Sequence, residues 1–261
     1  MKNFSTTPPL PSFLIIGAQK SATRWLRSHL GEHPEIFTAD KELRFFNGGR
    51  YEEGLESYRT LFEGWDGEPI VGEATPSYMM WRESPARISA RIRESLPEVR
   101  LFALLRNPVD RTYSAFVHHM RAGRIPPDAD LLEQVRSVAP EEDRLGLVAG
   151  SWYADSLAPY FERFGDRLAV FLHDDVLASP EKIYARALSH LGTSPGFEPR
   201  GLSRVRNSGK TPAESSYAED GGRRELNAAE RAELYEYFRH DVRRLEGMLD
   251  RDLSLWRPSG G

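Results

Sequence analysis

The chain has 261 residues and a net charge of −4, so no overall positive field draws it to nucleic acid or to an anionic membrane surface. Hydrophobic residues make up 39% of it, which excludes wholesale disorder and allows one sizeable core. The chain has no cysteine, which excludes disulfide bonds, thiolate nucleophiles and cysteine-ligated metals. With no apolar signal segment near its start, this composition predicts a cytoplasmic protein that neither enters a membrane nor binds nucleic acid.

Composition also divides the chain into segments. Residues 1–12 are Pro-rich and predict an extended leader, residues 13–256 a single domain, and residues 257–261 a short tail. Within the domain, residues 193–226 are rich in Gly, Pro, Ser and Arg. This stretch is long for a connection between elements, and such loops are usually functional or mobile.

Four short apolar runs predict buried parallel strands, and they cover residues 13–16, 70–71, 99–105 and 168–172. Helix-start signals follow three of these runs. The predicted helices are Thr23 to Leu30, a helix opened by Ser84-Pro85 that runs through Arg93, and a helix opened by Asn107-Pro108 that runs through Arg121. Strands that alternate with helices predict an α/β fold, here a single domain with a central parallel sheet flanked by helices.

Two further helices are predicted in the second half of the chain. Ser179-Pro180 opens a helix through Leu191, and Asn227 with Glu230 forms a capping-box signature for a last long helix. An apolar stripe at spacings of three and four residues runs along that helix, and we expect it to dock on the sheet. The stripe consists of Leu234, Phe238, Val242, Leu245 and Leu249.

The first polar motif follows the first predicted strand and runs Gly17-Ala-Gln-Lys-Ser-Ala-Thr23. A strand, a tight turn of small residues and a helix form a P-loop-like anion site, because backbone N–H groups and the helix dipole converge there. A loop that binds nucleoside triphosphates would need a second glycine before Lys20, and this sequence has no glycine there. The motif taken alone is also compatible with an ordinary turn that carries a solvated lysine.

The second polar motif follows the third predicted strand and runs Arg106-Asn-Pro-Val-Asp-Arg-Thr-Tyr-Ser114. Arg106 ends the strand and Ser114 lies about two turns into the next helix, so both can reach one cluster of ligand oxygens. Two anion sites that follow two strands of one sheet indicate a ligand with two separated anionic groups.

These two motifs together resemble those of sulfotransferases that use 3′-phosphoadenosine 5′-phosphosulfate (PAPS). The first is similar to their 5′-phosphosulfate loop and the second to their 3′-phosphate motif. Two further segments, Lys41-Glu-Leu-Arg-Phe-Phe46 and Gly72-Glu-Ala-Thr-Pro-Ser-Tyr78, resemble the heparan-sulfate-type subgroup. The resemblance covers residues 12–192 and implies transfer of a sulfuryl group from PAPS to an acceptor hydroxyl, with release of adenosine 3′,5′-bisphosphate (PAP). The cysteine-free composition is typical of a bacterial member.

The resemblance assigns a role to each motif position. Lys20 is implied as the catalytic lysine, beside the oxygen that bridges sulfur and phosphorus. Lys20, Ser21, Ala22, Thr23 and Arg24 are implied to bind the 5′-phosphosulfate, and Arg106 and Ser114 the 3′-phosphate. The long loop over 193–226 is implied to close over the nucleotide, where the candidates are Lys210, Arg223 and Arg224.

A hydroxyl acceptor needs a base, and the resemblance implies Glu42 for that role. Glu73, at the end of its own predicted strand, is the rival. His118 and His119 are expected to be surface or core residues because they lie on the phosphate-motif helix. The motifs predict no metal, since Lys20 and the helix dipole supply the positive charge.

The acceptor is constrained by departures from the subgroup's pattern. Arg44 replaces a usual histidine and Ala74 a usual lysine, so we expect a small-molecule or glycan-like hydroxyl acceptor other than heparan sulfate. Several aromatic residues could line an apolar acceptor cleft, although such residues more often form a core. These aromatic residues are Phe45, Phe46, Tyr78, Trp81, Trp152 and Tyr153.

Two other functions stay open at this point. A magnesium-dependent nucleotide kinase could use Lys20 with Asp174. Asp174 and Asp175 follow a predicted strand, as the acidic residues of nucleoside triphosphatases do. A non-catalytic adenine-nucleotide-binding module could retain Arg106 and Ser114 alone. The sequence does not define the oligomeric state.

Overall fold

A computed structural model describes residues 7–80, 84–139, 142–194, 196–202 and 225–258 of the chain. Its centre is a sheet in which every strand pair is parallel. The strands are β1 (Phe13–Gly17), β2 (Ile36–Thr38), β3 (Ile70–Ala74), β4 (Arg100–Leu105) and β5 (Leu168–Leu172). Their order in the sheet is β2-β3-β1-β4-β5, so the strands that precede the two polar motifs, β1 and β4, are neighbours.

Helices connect and cover these strands, as the alternating pattern predicts. In chain order they are α1 (Thr23–Leu30), α2 (Leu55–Arg59), α3 (Pro85–Ser95), α4 (Pro108–Arg121), α5 (Leu131–Arg136), α6 (Tyr153–Phe164), α7 (His173–Ala178), α8 (Pro180–Leu191), α9 (Ala228–Glu236) and α10 (Arg239–Leu249). The side chain of Asn107 caps α4 by accepting a hydrogen bond from the Val109 amide. The α/β fold with a central parallel sheet is therefore confirmed.

The last predicted helix is two helices in the structure. Asn227 and Glu230 form the predicted capping box at the start of α9, but the helix stops after Glu236 and α10 begins at Arg239. Four residues of the apolar stripe, Leu234, Phe238, Val242 and Leu245, are fully buried. The stripe packs against other helices, since α10 contacts α6 and α9 contacts α4, and its buried residues share one apolar cluster with Leu14 and Ile16 of β1.

The sheet has a core on each of its two faces. Leu14 and Ile16 of β1 belong to one apolar cluster, and Phe13 and Ile15 belong to the other. Side chains alternate between the faces of a strand, so a strand that is covered on both faces must be apolar throughout. This explains the uninterrupted apolar run in the sequence.

The polypeptide just before β1 is part of the sheet's hydrogen bonding. The Ser12 amide donates to the Val71 carbonyl at 2.8 Å, and the Ser12 carbonyl accepts from the Arg100 amide at 2.9 Å. The Arg59 guanidinium donates to the Pro8 carbonyl at 2.9 Å. Over the described ranges, none of the helices combines the length and the apolar character that crossing a bilayer requires.

Helix α10 contacts the start of α6 through a buried carboxylate. Asp241 accepts hydrogen bonds from the Ala154 amide, at 3.0 and 3.1 Å to its two oxygens, and from the Asp155 amide at 3.3 Å. Burial raises the pKa of Asp241 to about 6, although these amides lower it. Asp241 thereby caps a helix that is distant in sequence.

Candidate active site at the carboxyl edge of the sheet

The turn after β1 has the geometry of an anion-binding loop. Lys20 and Ala22 both adopt left-handed backbone angles, with φ of 71° and 70°. The Ala18 amide donates to the Leu104 carbonyl of β4 at 2.7 Å, which anchors the turn to the neighbouring strand. Ser21 is fully buried, and its hydroxyl has no partner at ordinary hydrogen-bond length among the described residues, although Tyr153 lies nearby.

The start of α1 offers amide donors at this turn. No side chain caps the helix, and its first turn contains no acidic residue. The first amides of an α-helix have no acceptor within the helix, and the helix dipole adds a partial positive charge there. The amides at the start of α1 are donors of the kind that an anion needs, and Lys20 belongs to the same turn.

Gly17 lets the turn approach the next element of the site. A Cβ atom at position 17 would lie 2.6 Å from Cβ and 2.9 Å from Sδ of Met79, which is closer than real side chains come. Met79 belongs to the single helical turn Pro76–Met79 that follows β3. Glycine is therefore required by packing at the position where β1 ends.

The second motif meets the first across the sheet's edge. The Arg106 guanidinium at the end of β4 donates to the Lys20 carbonyl at 3.4 Å. The Arg106 carbonyl accepts from the Tyr153 hydroxyl at 2.9 Å, which fixes the backbone of this strand end from α6. The predicted juxtaposition of Lys20 and Arg106 is present in the structure.

One face of α4 is directed toward the turn after β1. His118 is partly exposed, and burial together with the positive charges of Lys20, Arg124 and Arg24 lowers its pKa. Ser114 is one helical turn before His118 and therefore lies on the same face. His119 points elsewhere and is buried, with one ring nitrogen at 2.9 Å from the Leu145 carbonyl. His119 is a core residue, whereas His118 lies beside the site.

A buried arginine joins α4 to the loop before α6. The Arg111 guanidinium donates to the Ser151 hydroxyl at 2.6 Å and to the Gly146 and Leu147 carbonyls at 2.5 Å each. Arg111 is 1% exposed, and burial lowers its pKa. Its sequence position inside the second motif carries no signal that distinguishes this packing role from a ligand-binding role.

The two candidate bases lie in different environments. Glu42 is at the surface of the loop after β2 and forms an ion pair with Arg44 at 2.9 Å. Glu73, on β3, is fully buried and accepts hydrogen bonds from the hydroxyls of Tyr58, Tyr78 and Thr75. Solvent and an acceptor can therefore reach Glu42, whereas the protein encloses Glu73.

The acidic pair that follows β5 is engaged by the C-terminal segment. Asp174 accepts from the Trp256 indole at 2.8 Å, and Asp175 forms a two-point ion pair with Arg251 at 2.6 and 2.7 Å. The Trp256 carbonyl in turn accepts from the Asn107 side chain at 3.2 Å. These contacts are structural ones, and they occupy the carboxylates that a magnesium-dependent kinase would need.

His173 is a residue of this edge that sequence reasoning missed. It follows β5 directly, just as Arg106 follows β4. Burial and the nearby Arg106 charge lower the pKa of His173 to about 3, so the ring is neutral at neutral pH. The position after a strand of the parallel sheet is the signal that could have identified it.

The remaining sequence predictions divide into three groups. Phe45, Phe46, Tyr78 and Tyr153 are fully buried, so they are core residues and do not line a cleft. Trp152 is half-buried, and its indole donates to the Tyr237 carbonyl at 3.3 Å. Trp81 and the loop candidates lie outside the described residues; those candidates are Lys210, Arg223 and Arg224.

Comparisons with known proteins agree with this geometry. The chain belongs to the sulfotransferase domain family, which matches residues 10–194. It is 31% identical to the human heparan sulfate glucosamine 3-O-sulfotransferase 3B1 over 202 residues, which are 77% of this chain and 48% of that protein. It is 26% identical to a bifunctional heparan sulfate N-deacetylase/N-sulfotransferase of Caenorhabditis elegans over 74% of this chain and 23% of that protein. The chain thus spans about half or less of the length of the curated relatives it matches.

Solved structures share the whole fold. A sulfotransferase from Alicyclobacillus acidocaldarius superposes with a TM-score of 0.75 at 26% identity, over 95% of this chain and 99% of that one. A mouse sulfotransferase complexed with PAP gives a TM-score of 0.57 at 12% identity, over 90% and 85% of the two chains. The second likeness supports the fold alone.

Proposed function

We propose that the chain is a PAPS-dependent sulfotransferase that transfers a sulfuryl group to an acceptor hydroxyl and releases PAP. The observation that carries this proposal is the contact between the two motifs, in which Arg106 donates to the Lys20 carbonyl at 3.4 Å. Because the two motifs are in contact, one ligand can reach both anion sites, which lie at the ends of neighbouring strands. When bound, PAPS supplies the sulfuryl group and a phosphate oxygen as the leaving atom.

Lys20 has the central part in the chemistry. Its ammonium neutralises the negative charge that develops on the leaving oxygen, where a fixed positive group stabilises the transition state more than the ground state. The amides of the turn and of the first residues of α1 hold the 5′-phosphate, together with the side chains of Ser21, Thr23 and Arg24. Arg106 and Ser114 hold the 3′-phosphate. Sulfuryl transfer, like phosphoryl transfer, depends mainly on such positioning and charge.

Glu42 acts as the base in this proposal. A hydroxyl group is a poor nucleophile at neutral pH, so a carboxylate must take its proton during attack. The Glu42 carboxylate is accessible at the surface, and its ion pair with Arg44 orients it. Glu73 has no access to an acceptor because it is enclosed by hydroxyl groups that donate to both of its oxygens.

The acceptor in this proposal is a small-molecule or glycan-like alcohol. Relatives named for heparan sulfate favour a glycan-like molecule. Arg44 and Ala74 differ from the subgroup's pattern at positions that the resemblance assigns to the acceptor side, which favours a substrate other than heparan sulfate. No metal takes part in the proposed step. Within the described ranges, His, Asp and Glu side chains form no group of three or more that could hold a metal ion.

A labelled transfer assay tests the proposal. The chain is incubated with radiolabelled PAPS and a panel of hydroxyl acceptors, with and without EDTA. We expect label to move to at least one acceptor at an unchanged rate in EDTA. In a parallel incubation with ATP labelled in its γ-phosphate, phosphoryl transfer that needs Mg²⁺ would favour the kinase, and PAP binding without transfer of either label would favour a non-catalytic module.

A further inference from the structure

Glu73 is a buried carboxylate that the proposed chemistry does not use. Its Oε1 atom accepts from the Tyr78 hydroxyl at 2.7 Å and from the Tyr58 hydroxyl at 3.1 Å. Its Oε2 atom accepts from the Thr75 hydroxyl at 2.6 Å. The Leu43 amide donates to the same carboxylate. A carboxylate has about four acceptor positions, so these donors satisfy it completely.

The groups that surround Glu73 also hold the loop that carries Glu42. The Arg44 amide donates to the Thr75 hydroxyl oxygen at 3.2 Å. The Phe46 amide donates to the Tyr78 hydroxyl oxygen at 3.4 Å. With the Leu43 amide, these contacts fix the backbone immediately after Glu42 to one buried network centred on Glu73.

The chemistry of the network indicates why a carboxylate stands at its centre. Thr75 and Tyr78 each give their single hydroxyl proton to Glu73, which leaves their oxygens free to accept from the loop amides. An acceptor-only group at position 73 therefore sets the direction of every hydrogen bond in the network. Burial raises the pKa of Glu73, whereas the donors around it lower it and keep the charged form supplied with hydrogen bonds.

We infer that Glu73 is a positioning residue, whose carboxylate fixes the loop over residues 43–46 and thereby the direction of the Glu42 side chain. This inference rests on the proposed function for the role of Glu42, but the contacts themselves do not depend on it. Glu73 stands on β3, where it pairs in register with Leu14 of β1, so the network also ties the loop to the strand that leads to Lys20.

Glu73→Gln is the informative substitution because it keeps the size of the side chain and replaces one acceptor oxygen by a donor. We expect amide hydrogen exchange in the segment over residues 43–46 to accelerate by about tenfold or more, with exchange in β1 unchanged. With the acceptor found by the panel, we expect kcat to fall about tenfold at unchanged affinity for PAP. In the Glu42→Gln background, Glu73→Gln should cause no further loss of kcat, because the base that Glu73 positions has already been removed.

Two hydroxyl deletions make the test independent of whether Glu73→Gln folds well. Tyr58→Phe removes one donor to Glu73. We expect it to accelerate exchange over residues 43–46 and to lower kcat, each by about two- to threefold. Tyr160→Phe is the matched control, because Tyr160 is equally buried but donates to the Tyr78 carbonyl at 2.7 Å instead of to Glu73. We expect Tyr160→Phe to reduce stability without changing exchange in the loop or kcat.

Three results would overturn the inference. The first is that amide exchange over residues 43–46 is the same in Glu73→Gln as in the wild-type chain. The second is that the losses of kcat caused by Glu42→Gln and Glu73→Gln multiply in the double variant. The third is that Glu73→Gln loses the acidic limb of the kcat–pH profile while Glu42→Gln keeps it. The last result would make Glu73 the base. If the wild-type chain neither binds PAP nor transfers label, the proposed function fails, while the exchange measurement still decides whether Glu73 holds the loop.

Discussion

The substitution Gly17→Ala tests whether the close packing at the end of β1 positions the turn that carries Lys20. The added Cβ atom would lie 2.6 Å from Cβ and 2.9 Å from Sδ of Met79, so the loop or the turn Pro76–Met79 must shift. Insertion of a methyl group into a packed core costs about 1–3 kcal/mol. For a chain of this size, about 2 °C of melting temperature corresponds to each kcal/mol, so we expect Tm to fall by about 2–6 °C.

Calorimetry measures both consequences of this change. Scanning calorimetry gives the change in Tm, and titration with PAP gives the affinity, which we expect to fall by about tenfold because a shift of the loop misaligns its amides. Gly49→Ala is the matched control, since nothing lies within 4 Å of a Cβ atom at that position. If Gly17→Ala has the same Tm and the same PAP affinity as Gly49→Ala, then the contact with Met79 does not position the loop.

Three further predictions follow from other side chains. Lys20→Ala should abolish sulfuryl transfer while PAP affinity stays within about tenfold, as measured by assay and titration; equal losses in both would contradict a role in the transition state. Arg111→Met removes the hydrogen bond to the Gly146 carbonyl, whereas the Leu147 carbonyl keeps the Thr112 hydroxyl as a donor at 2.8 Å. It should therefore lower the unfolding free energy by about 2–5 kcal/mol in urea, against a smaller loss for Arg111→Lys. The pKa of Asp241 is raised to about 6 in the folded state, so the folded state binds more protons than the unfolded state at pH 4–6 and stability falls as pH rises through that window. Asp241→Asn should flatten this dependence in melts at pH 5 and 8, and a variant that keeps the wild-type slope would assign it to another group.

The strands were predictable where both faces of the sheet are covered. β1 and β5 read as uninterrupted apolar runs, as does β4 after Arg100, because side chains on both faces enter a core. β2 was not predicted, since Ile36–Thr38 is a three-residue strand at the edge of the sheet with no apolar run around it.

The break in the last helix shows a limit of periodicity. Leu234, Phe238 and Val242 keep a spacing of four residues across the break, so the apolar pattern is the same as that of one continuous helix. In the structure the Phe238 amide donates to the Tyr235 carbonyl, a tighter turn that ends α9. The spacing of apolar residues indicates which side of a helix is buried, but it does not indicate where the backbone hydrogen bonding changes.

The part of the candidate site that could be predicted from the sequence consists of polar residues that follow predicted strands. Lys20 and Arg106 each follow a strand, and neighbouring parallel strands bring them together. The network around Glu73 was not predictable, because Tyr58 is 15 residues away in sequence and reaches the carboxylate only through the fold. Nothing in the spacing of these residues separates a buried acid of this kind from a catalytic one.

The central claim is that two anion sites at neighbouring strand ends hold one donor molecule, and its most direct test is the preference for a 3′-phosphate. Isothermal titration would compare PAP with AMP, which lacks that group, for the wild-type chain and for Ser114→Ala. Charge-assisted hydrogen bonds from Arg106 and Ser114 should make PAP bind about tenfold to a hundredfold more tightly than AMP, and Ser114→Ala should reduce this ratio. Equal affinity for PAP and AMP in the wild-type chain would contradict the account.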